Sequence, residues 1–354
     1  MIFAQTVSRR LMHSNAEGRR NVEAFFQRFD IDRDGLESLL FRNVRGEFEP
    51  YYVSTVPRGL GGSTSDIDLI LVAGDASVQQ AHVSSMLFHA GRRLGAKVLT
   101  RAEIGSSLAA VEDGIAAWRR HEAYPIDNLP TKWADLERLV NGARLDGAHE
   151  FASALPILCE WAAIVAFGES GENCLMATLC QQAGQAAAAR AYGEGAVMAA
   201  MDCVMASCGQ VQSNMKWTYE RWRRFQLERR PAAVQTTIEA INWARDCIET
   251  GEPAWAQTIG DVHDRLSMDI LSGADGGHPR LRVASEVVSH PFLPGASTLL
   301  GRGLAAVVPR DVLERLGGVD RQAAAQLDYG AADAAVVLTQ TGFLTLRHEW
   351  GDDE

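Results

Sequence analysis

The sequence predicts an α+β protein, with a small mixed sheet and flanking helices first and a mainly helical domain after it. Three observations carry this. Short runs rich in β-formers lie between residues 49 and 104. A Gly/Ser-rich turn over Gly59–Ser65 separates the first two of them. After Pro125 the text changes to segments rich in Ala, Leu, Met and Gln with helical spacing. The expected division is 1–125 for the α/β part, 126–272 for the helical domain, and 273–354 for a mixed segment packing on one of the two.

Taken in order, Asn21–Phe29 and Leu36–Arg42 are amphipathic and read as short helices. Glu49–Val56 alternates and reads as a strand. Asp66–Val72 is apolar and β-branched, bounded by Ala73-Gly74-Asp75, and reads as a second, buried strand. Ser77–Leu94 has helical spacing and ends at Gly95, a residue suited to a C-cap. Lys97–Ile104 reads as a third strand and Ser106–His121 as a helix. Pro125 to Pro130 reads as a loop, and Trp133 to about Gly251 as helix after helix. Trp255–Leu271 is expected helical, Gly273–Pro279 a loop, and Ala332–Arg347 a strand or hairpin through Ala335–Leu338 and Gly342–Leu346.

The 354 residues carry 34 Lys and Arg against 45 Asp and Glu, a net charge of −11. So acidic a surface repels a long phosphate backbone, so polymeric nucleic acid is not the expected partner. A small anion needs only a local positive pocket. The cysteines, Cys159, Cys174, Cys180, Cys203, Cys208 and Cys247, show no CxxC spacing and lie in apolar helical text. They read as reduced core residues of a cytoplasmic protein. The most apolar stretch, Ala154–Phe167, contains Glu160 and reads as a buried helix, too short to span a bilayer. No membrane association is expected.

The stretch that carries chemistry is Tyr52-Val53-Ser54-Thr55-Val56-Pro57-Arg58-Gly59-Leu60-Gly61-Gly62-Ser63-Thr64-Ser65-Asp66-Ile67-Asp68-Leu69. Side chains two apart on a strand share a face, so Asp66 and Asp68 point together while Ile67 and Leu69 bury. Two carboxylates held side by side repel, and a divalent cation relieves that. Hard oxygen ligands beside phosphate suit Mg²⁺, and paired metal ions of this kind clamp an in-line phosphoryl displacement. The alternative is an Asp capping a turn beside a solvent-facing Asp on an edge strand.

This segment resembles the signature of the DNA polymerase β-like nucleotidyltransferase superfamily, above all its minimal and antibiotic-modifying members. Those often show Gly-Ser at a strand end, then Arg-Gly, then Ser-Asp-Ile-Asp-Leu. The likeness covers about fifty of the 354 residues. It implies a nucleotidyltransferase-fold mixed sheet with flanking helices, with Asp66 and Asp68 as metal carboxylates. Arg58-Gly59 falls on the family's Arg-Gly, Thr55 on its Ser, and Ser54 on its Gly; Ser65 directly precedes the first Asp. Ser54 departs from the family, whose Gly lets backbone N–H groups approach the triphosphate closely. A register using Gly62-Ser63 as the Gly-Ser pair leaves too short a loop before Asp66. The superfamily usually supplies a third carboxylate from the next strand. Glu103 is the candidate by position, as metal ligand or base, with an exposed strand charge as the equal alternative.

Ser213-Asn214-Met215-Lys216-Trp217-Thr218-Tyr219-Glu220-Arg221-Trp222-Arg223-Arg224 is the one dense basic–aromatic run. It is similar to the Lys-Trp helix that faces the cleft in several nucleotidyltransferases, which implies a triphosphate contact for Lys216. The alternative is a surface helix with a solvated Arg face, preferred for Arg223 and Arg224.

Other signals are weaker. Asp30-Ile31-Asp32-Arg33-Asp34-Gly35 has the start of a calcium loop, but position 8 is Glu37 and position 12 is Phe41. Without the bidentate Glu the loop lacks its main anchor, and a capped helix start is expected instead. Asp261, His263, Asp264 and Asp269 read as a helix surface, and His278 and His290 as loop residues.

The resulting expectation is a Mg²⁺- and ATP-dependent nucleotidyltransferase. It would move AMP onto a small-molecule acceptor, with pyrophosphate leaving and a helical domain closing the cleft. Asp66, Asp68 and Glu103 would be catalytic, with Ser54, Thr55, Arg58, Ser65 and Lys216 on the nucleotide. Cationic acceptors such as aminoglycosides would suit an acidic pocket. The rival expectations are an enzyme that activates a carboxylate as an acyl-adenylate, a protein-modifying enzyme of the toxin–antitoxin kind, and a non-catalytic nucleotide-binding protein that keeps the fold.

Overall fold

The computed structural model describes residues 3–44, 46–74, 85–122, 133–212, 215–227, 232–252, 254–271, 278–293, 296–301 and 304–349. The chain divides into two compact units. The first holds Met1–Arg120, Asn128–Ala162 and Ala206–Ser213; the second holds His121–Asp127, Ala163–Met205 and Asn214–Glu354.

The first unit is α+β. Two helices, α1 (Phe3–Arg28) and α2 (Arg33–Asn43), precede four strands: β1 (Phe48–Val53), β2 (Ile67–Ala73), β3 (Ser85–His89) and β4 (Arg92–Thr100). The sheet order is β1-β2-β4-β3, with β1 antiparallel to β2, β2 parallel to β4 and β3 antiparallel to β4. Helices α3 (Arg101–Arg119) and α4 (Trp133–Val140) follow. The expected mixed sheet with flanking helices is therefore present.

Alternation along the strands sorts their side chains between two layers. Ile67, Leu69 and Leu71 of β2 and Leu94 and Ala96 of β4 share one core with Val22, Phe25 and Phe26 of α1 and Leu36 and Leu40 of α2. On the opposite face Tyr51, Ile70, Val72 and Leu99 are buried toward the Thr100 end. There α3 packs on β4 and α4 on β1, and Tyr52 bridges Ala143 through both backbone hydrogen bonds. The start of β2 on this face stays open: the Asp66 side chain is 42% exposed.

Two elements after β2 differ from the expectation. Residues 85–94, read as the end of a helix, form β3 and the start of β4; the rest of that span, 77–84, lies outside the described residues. The two strands join at Ala90 and Gly91, with φ of 48° and 72°. Two consecutive left-handed residues make a hairpin turn whose twist suits antiparallel strands. The third strand ends at Thr100, and Glu103 lies on a helix instead of a strand. Thr100 caps α3 in a reciprocal box: its hydroxyl accepts from Glu103 N, and Glu103 Oε2 accepts from Thr100 N.

The second unit takes in most of α5 (Leu155–Gln182) and of α6 (Ala186–Ser207). Next come α7 (Thr218–Gln226), α8 (Ala232–Thr250) and α9 (Trp255–Arg265), which runs into a π-helical turn over Leu266–Ile270. The helical text was read correctly. All six cysteines are buried and none forms a disulfide. The apolar stretch is longer than expected: Glu150–Gln182 spans 33 residues, enough to cross a membrane by length and composition, and 67% of its most apolar window is buried inside the fold.

Strands β5 (His278–Val283), β6 (Val288–Leu293), β7 (Ala296–Gly301) and β8 (Leu304–Pro309) follow. Pro279, expected in a loop, lies in β5. The chain then forms α10 (Arg310–Leu316), α11 (Arg321–Ala324), α12 (Tyr329–Gln340) and β9 (Leu344–Glu349), which pairs with β5. Ala335–Leu338, expected as a strand, lies in α12. Asp328 caps it by accepting from Ala331 N, and the buried Ala331, Ala332, Ala335 and Val336 repeat at helical spacing.

Candidate functional site

Strand register brings the Asp-x-Asp pair and the upstream hydroxyl residues to one end of the sheet. Val53, the last residue of β1, lies opposite Asp68. Ser54 and Thr55 therefore leave the sheet beside the two carboxylates. Asp66 precedes β2 by one residue and Asp68 is its second residue, so both lie on the open face.

On the other side of β2, Asp68 pairs with Gly95 of β4. A Cβ on Gly95 would stand 2.8 Å from Asp68 Oδ1. The missing side chain is the space in which the Asp68 carboxylate lies. Sequence reading took Gly95 as a helix cap and missed this role. We expect Gly95→Ala to leave stability unchanged or slightly higher, since glycine is unfavourable in a strand. It should displace the Asp68 carboxylate and weaken Mn²⁺ binding several-fold, as read by calorimetric titration.

Ser54 has a φ of 66°, in the left-handed region. The chain turns out of β1 there, and glycine adopts that conformation without a Cβ clash. The backbone is thus the one a glycine would favour, although the residue is serine. Ser54→Gly should raise stability by about 0.5–1 kcal/mol through relief of that strain, measured as a shift of the urea midpoint at constant slope.

The loop between β1 and β2 is tied at both ends. Leu60 N donates to Thr55 O at 3.0 Å, and Gly62 N donates to Ser65 Oγ at 2.8 Å. Ser65, expected on the nucleotide, thus also closes its own turn. Arg92 Nη1 donates to Ser65 O at 3.0 Å, and its guanidinium lies over the Phe29 ring at 4.0 Å. Its neighbour Arg93 reaches the open face instead, with Nε 3.6 Å from Asp66 Oδ2. Phe88, opposite Arg93 on β3, is 68% exposed.

Two expected site residues are held by other partners. Glu103 follows Thr100, which pairs with Ala73 at the far end of β2. Ala73 lies five residue steps along the strand from Asp68, about 16 Å at the usual rise. Glu103 is a helix-capping residue, near the other end of β2 from the acidic pair. Arg58, expected on phosphates, forms an ion pair with Glu137, and Nη1 donates to Val211 O at 2.9 Å and to Gln212 Oε1 at 3.1 Å. Glu137 is almost fully buried and also accepts from Asn141 Nδ2 at 3.1 Å. The guanidinium is committed to holding the loop onto α4.

Lys216 belongs to the second unit, on a single 3-10 turn over Met215–Trp217, exposed, with Nζ 5.6 Å from the centre of the Trp217 ring. Asn214 lies outside the described residues. Arg223 and Arg224 are solvated and pair with Glu220, as expected for a surface helix. Asp32 caps α2 by accepting from Asp34 N and Gly35 N, so the calcium-like loop is a helix start. Asp264 pairs with Arg321, and Asp269 accepts from Thr237. His263 is buried and stacks on Phe167 at 4.3 Å, where a solvated surface was expected.

At the opposite end of the sheet, Arg101 bridges Glu150 and Glu49, and Arg144 also holds Glu49. The hydrogen bond from Arg101 lowers the Glu150 pKa below the usual carboxylate range. Burial, with Glu150 nearby, pushes the Tyr51 phenol up to about 12. This network braces β1 against α3 at the covered end.

Residues 11–348 match the family described as a family of unknown function, DUF6001. The chain belongs to DUF6001. No curated protein matches this DUF6001 chain. Among solved structures it is similar to a nucleotidyltransferase-like protein from Exiguobacterium sibiricum 255-15, at 11% identity and a TM-score of 0.36, over 78% of this chain and 98% of that one.

Asp66 and Asp68 are the residues of this open face that could hold a divalent cation. Asp66 and Asp68 offer hard carboxylate oxygens on one open face, and the glycine at 95 leaves Asp68 its space. Beside them β1 presents Val53, and β4 presents Arg93 and Gly95. Among the described residues no group of three or more His, Cys, Asp or Glu is placed to hold a metal.

Proposed function

We propose that this protein binds a Mg²⁺–nucleoside triphosphate at Asp66 and Asp68 and transfers the nucleotidyl group, AMP from ATP, to a small-molecule acceptor. The observation that carries this reading is the register of Val53 with Asp68. It sets a left-handed, glycine-like turn at Ser54 beside two carboxylates on an uncovered sheet end. Asp66 and Asp68 would hold the cation, whose chemistry is to neutralise charge building on the phosphates. Ser54 and Thr55 would offer hydroxyl and backbone N–H donors to the phosphate oxygens.

In the transfer, an acceptor oxygen forms a bond to the α-phosphorus and the bond to the bridging oxygen breaks. Pyrophosphate leaves with that electron pair, and the acceptor proton passes to solvent. The chain's part is to hold the phosphates in line with the acceptor. The test is calorimetric titration with a non-hydrolysable ATP analogue and Mg²⁺, followed by mass spectrometry of candidate acceptors incubated with ATP. Saturable, Mg²⁺-dependent binding supports the reading, and its absence rejects it.

One observation favours a second reading, a nucleotide-binding protein without turnover. The β4 positions beside the acidic pair are Arg93 and Gly95, so no third carboxylate reaches the cation from that strand. Tight Mg²⁺–nucleotide binding with no pyrophosphate release under any acceptor would select this reading over transfer.

A further inference from the structure

Asp66 already faces a cation belonging to the chain. Arg93 Nε is 3.6 Å from Asp66 Oδ2, and the two side chains are 48% and 42% exposed. The pairing follows from register. Ile67 lies opposite Leu94 and Asp68 opposite Gly95 on parallel strands, which sets Arg93 next to Asp66 on the same face.

Arg92 and Arg93 are adjacent in sequence but differently held. Arg92 is clamped between the Phe25 and Phe29 rings, at 5.0 and 4.0 Å, and two backbone carbonyls. Arg93 has Asp66 as its one ion-pair partner among the described residues. A half-exposed pair of this kind is weak and separates readily.

A guanidinium and a divalent cation repel each other, so both cannot occupy Asp66 at close range. A polyphosphate offers the guanidinium a better partner, with two parallel charge-assisted hydrogen bonds to phosphate oxygens. Moving Arg93 from Asp66 to a phosphate frees Asp66 for metal. Resting on the reading of Asp66 and Asp68 as a metal–nucleotide site, we propose that Arg93 is a resident counter-cation that moves between Asp66 and the bound polyphosphate. Metal and polyphosphate then favour each other's binding, and the coupling is reciprocal by thermodynamic linkage.

The proposal makes one substitution act with opposite signs on two ligands, each measured alone. Arg93→Met removes the competitor for Asp66, so Mn²⁺ without phosphate should bind about five- to tenfold tighter, a shift within the usual range of coupling. The same variant should bind inorganic tripolyphosphate in EDTA about tenfold or more weakly. Arg93→Lys keeps the charge and should hold Mn²⁺ affinity near that of the unaltered protein. Thermal unfolding of each variant checks the fold, which a half-exposed side chain should not disturb.

Arg93→Met that leaves both affinities unchanged, or weakens both, overturns the exchange. Asp66→Asn and Asp68→Asn separate that failure from failure of the underlying reading. Loss of Mn²⁺ binding in both, with no tightening in Arg93→Met, rejects only the Arg93 exchange. Mn²⁺ binding that ignores both aspartates, or none in the unaltered protein, rejects the metal site and the exchange together.

Discussion

Asp66→Asn and Asp68→Asn should each cut Mg²⁺-dependent nucleotide turnover by at least about 100-fold, equivalent to about 2.7 kcal/mol at the transition state. The amide is nearly isosteric with the carboxylate but carries no charge, so it neither holds a divalent cation nor balances one. The effect should fall on cation-dependent steps, because the cation neutralises charge that grows as pyrophosphate leaves. Stability should change little. Asp66 loses only its half-exposed pairing with Arg93, and exposed pairs are worth roughly 0–1 kcal/mol. Asp68 lies over Gly95 in space that an amide also fills. The measurement is pyrophosphate release at saturating MgATP, with urea unfolding of each variant alongside. Near-normal turnover in both variants would remove the acidic pair from the chemistry. Unchanged turnover in Asp66→Asn alone would leave Asp68 as the sole essential carboxylate.

How far the sequence revealed this site depended on whether the information was local. Asp66 and Asp68 were legible as a same-face pair because strand alternation needs only two positions. Ser54 was legible as a glycine-like position from the motif, and its left-handed φ agrees. Glu103 was misplaced although its signal was present. Thr100-Arg101-Ala102-Glu103 is the hydroxyl-x-x-Glu pattern of a helix start, and the β-rich Val98-Leu99-Thr100 before it drew the strand too far. The β3–β4 hairpin was missed because Ala90-Gly91 is a weak turn signal beside Asn-Gly or Asp-Gly, while Leu87 and Leu94 also fit helical spacing. Gly95 and Arg93 could not be found locally, since their roles come from a parallel pairing between strands about thirty residues apart. Ala335–Leu338, expected as a strand, is helical because the alanine run with its Asp328 cap favours a helix.

Arg58→Ala should lower stability by about 3–5 kcal/mol, the usual cost of stranding one partner of a buried ion pair. Glu137 would keep its charge at 2% side-chain exposure, with Asn141 as a donor but without the guanidinium. The loop after β1 would also lose its anchors at Val211 and Gln212. Removing both charges should cost far less than removing one. Buried ion pairs are often replaceable by apolar residues of similar volume, because neither charge then has to be desolvated. Arg58→Met with Glu137→Leu should therefore recover most of the stability lost in Arg58→Ala, and urea midpoints of Arg58→Met, Glu137→Leu and the double variant form the cycle. The motif resemblance alone expects something different. If Arg58 held phosphate, Arg58→Ala would leave the urea midpoint in place. It would weaken nucleotide binding by about 10- to 150-fold, the loss of one charge-assisted contact. Glu137→Leu separates the two further. A structural pair is destabilised by losing either member, whereas a phosphate-binding Arg58 freed of its carboxylate would bind nucleotide more tightly. An unchanged midpoint in Arg58→Ala, together with lost nucleotide affinity, would return Arg58 to the phosphate site and leave Glu137 as a competitor for its guanidinium.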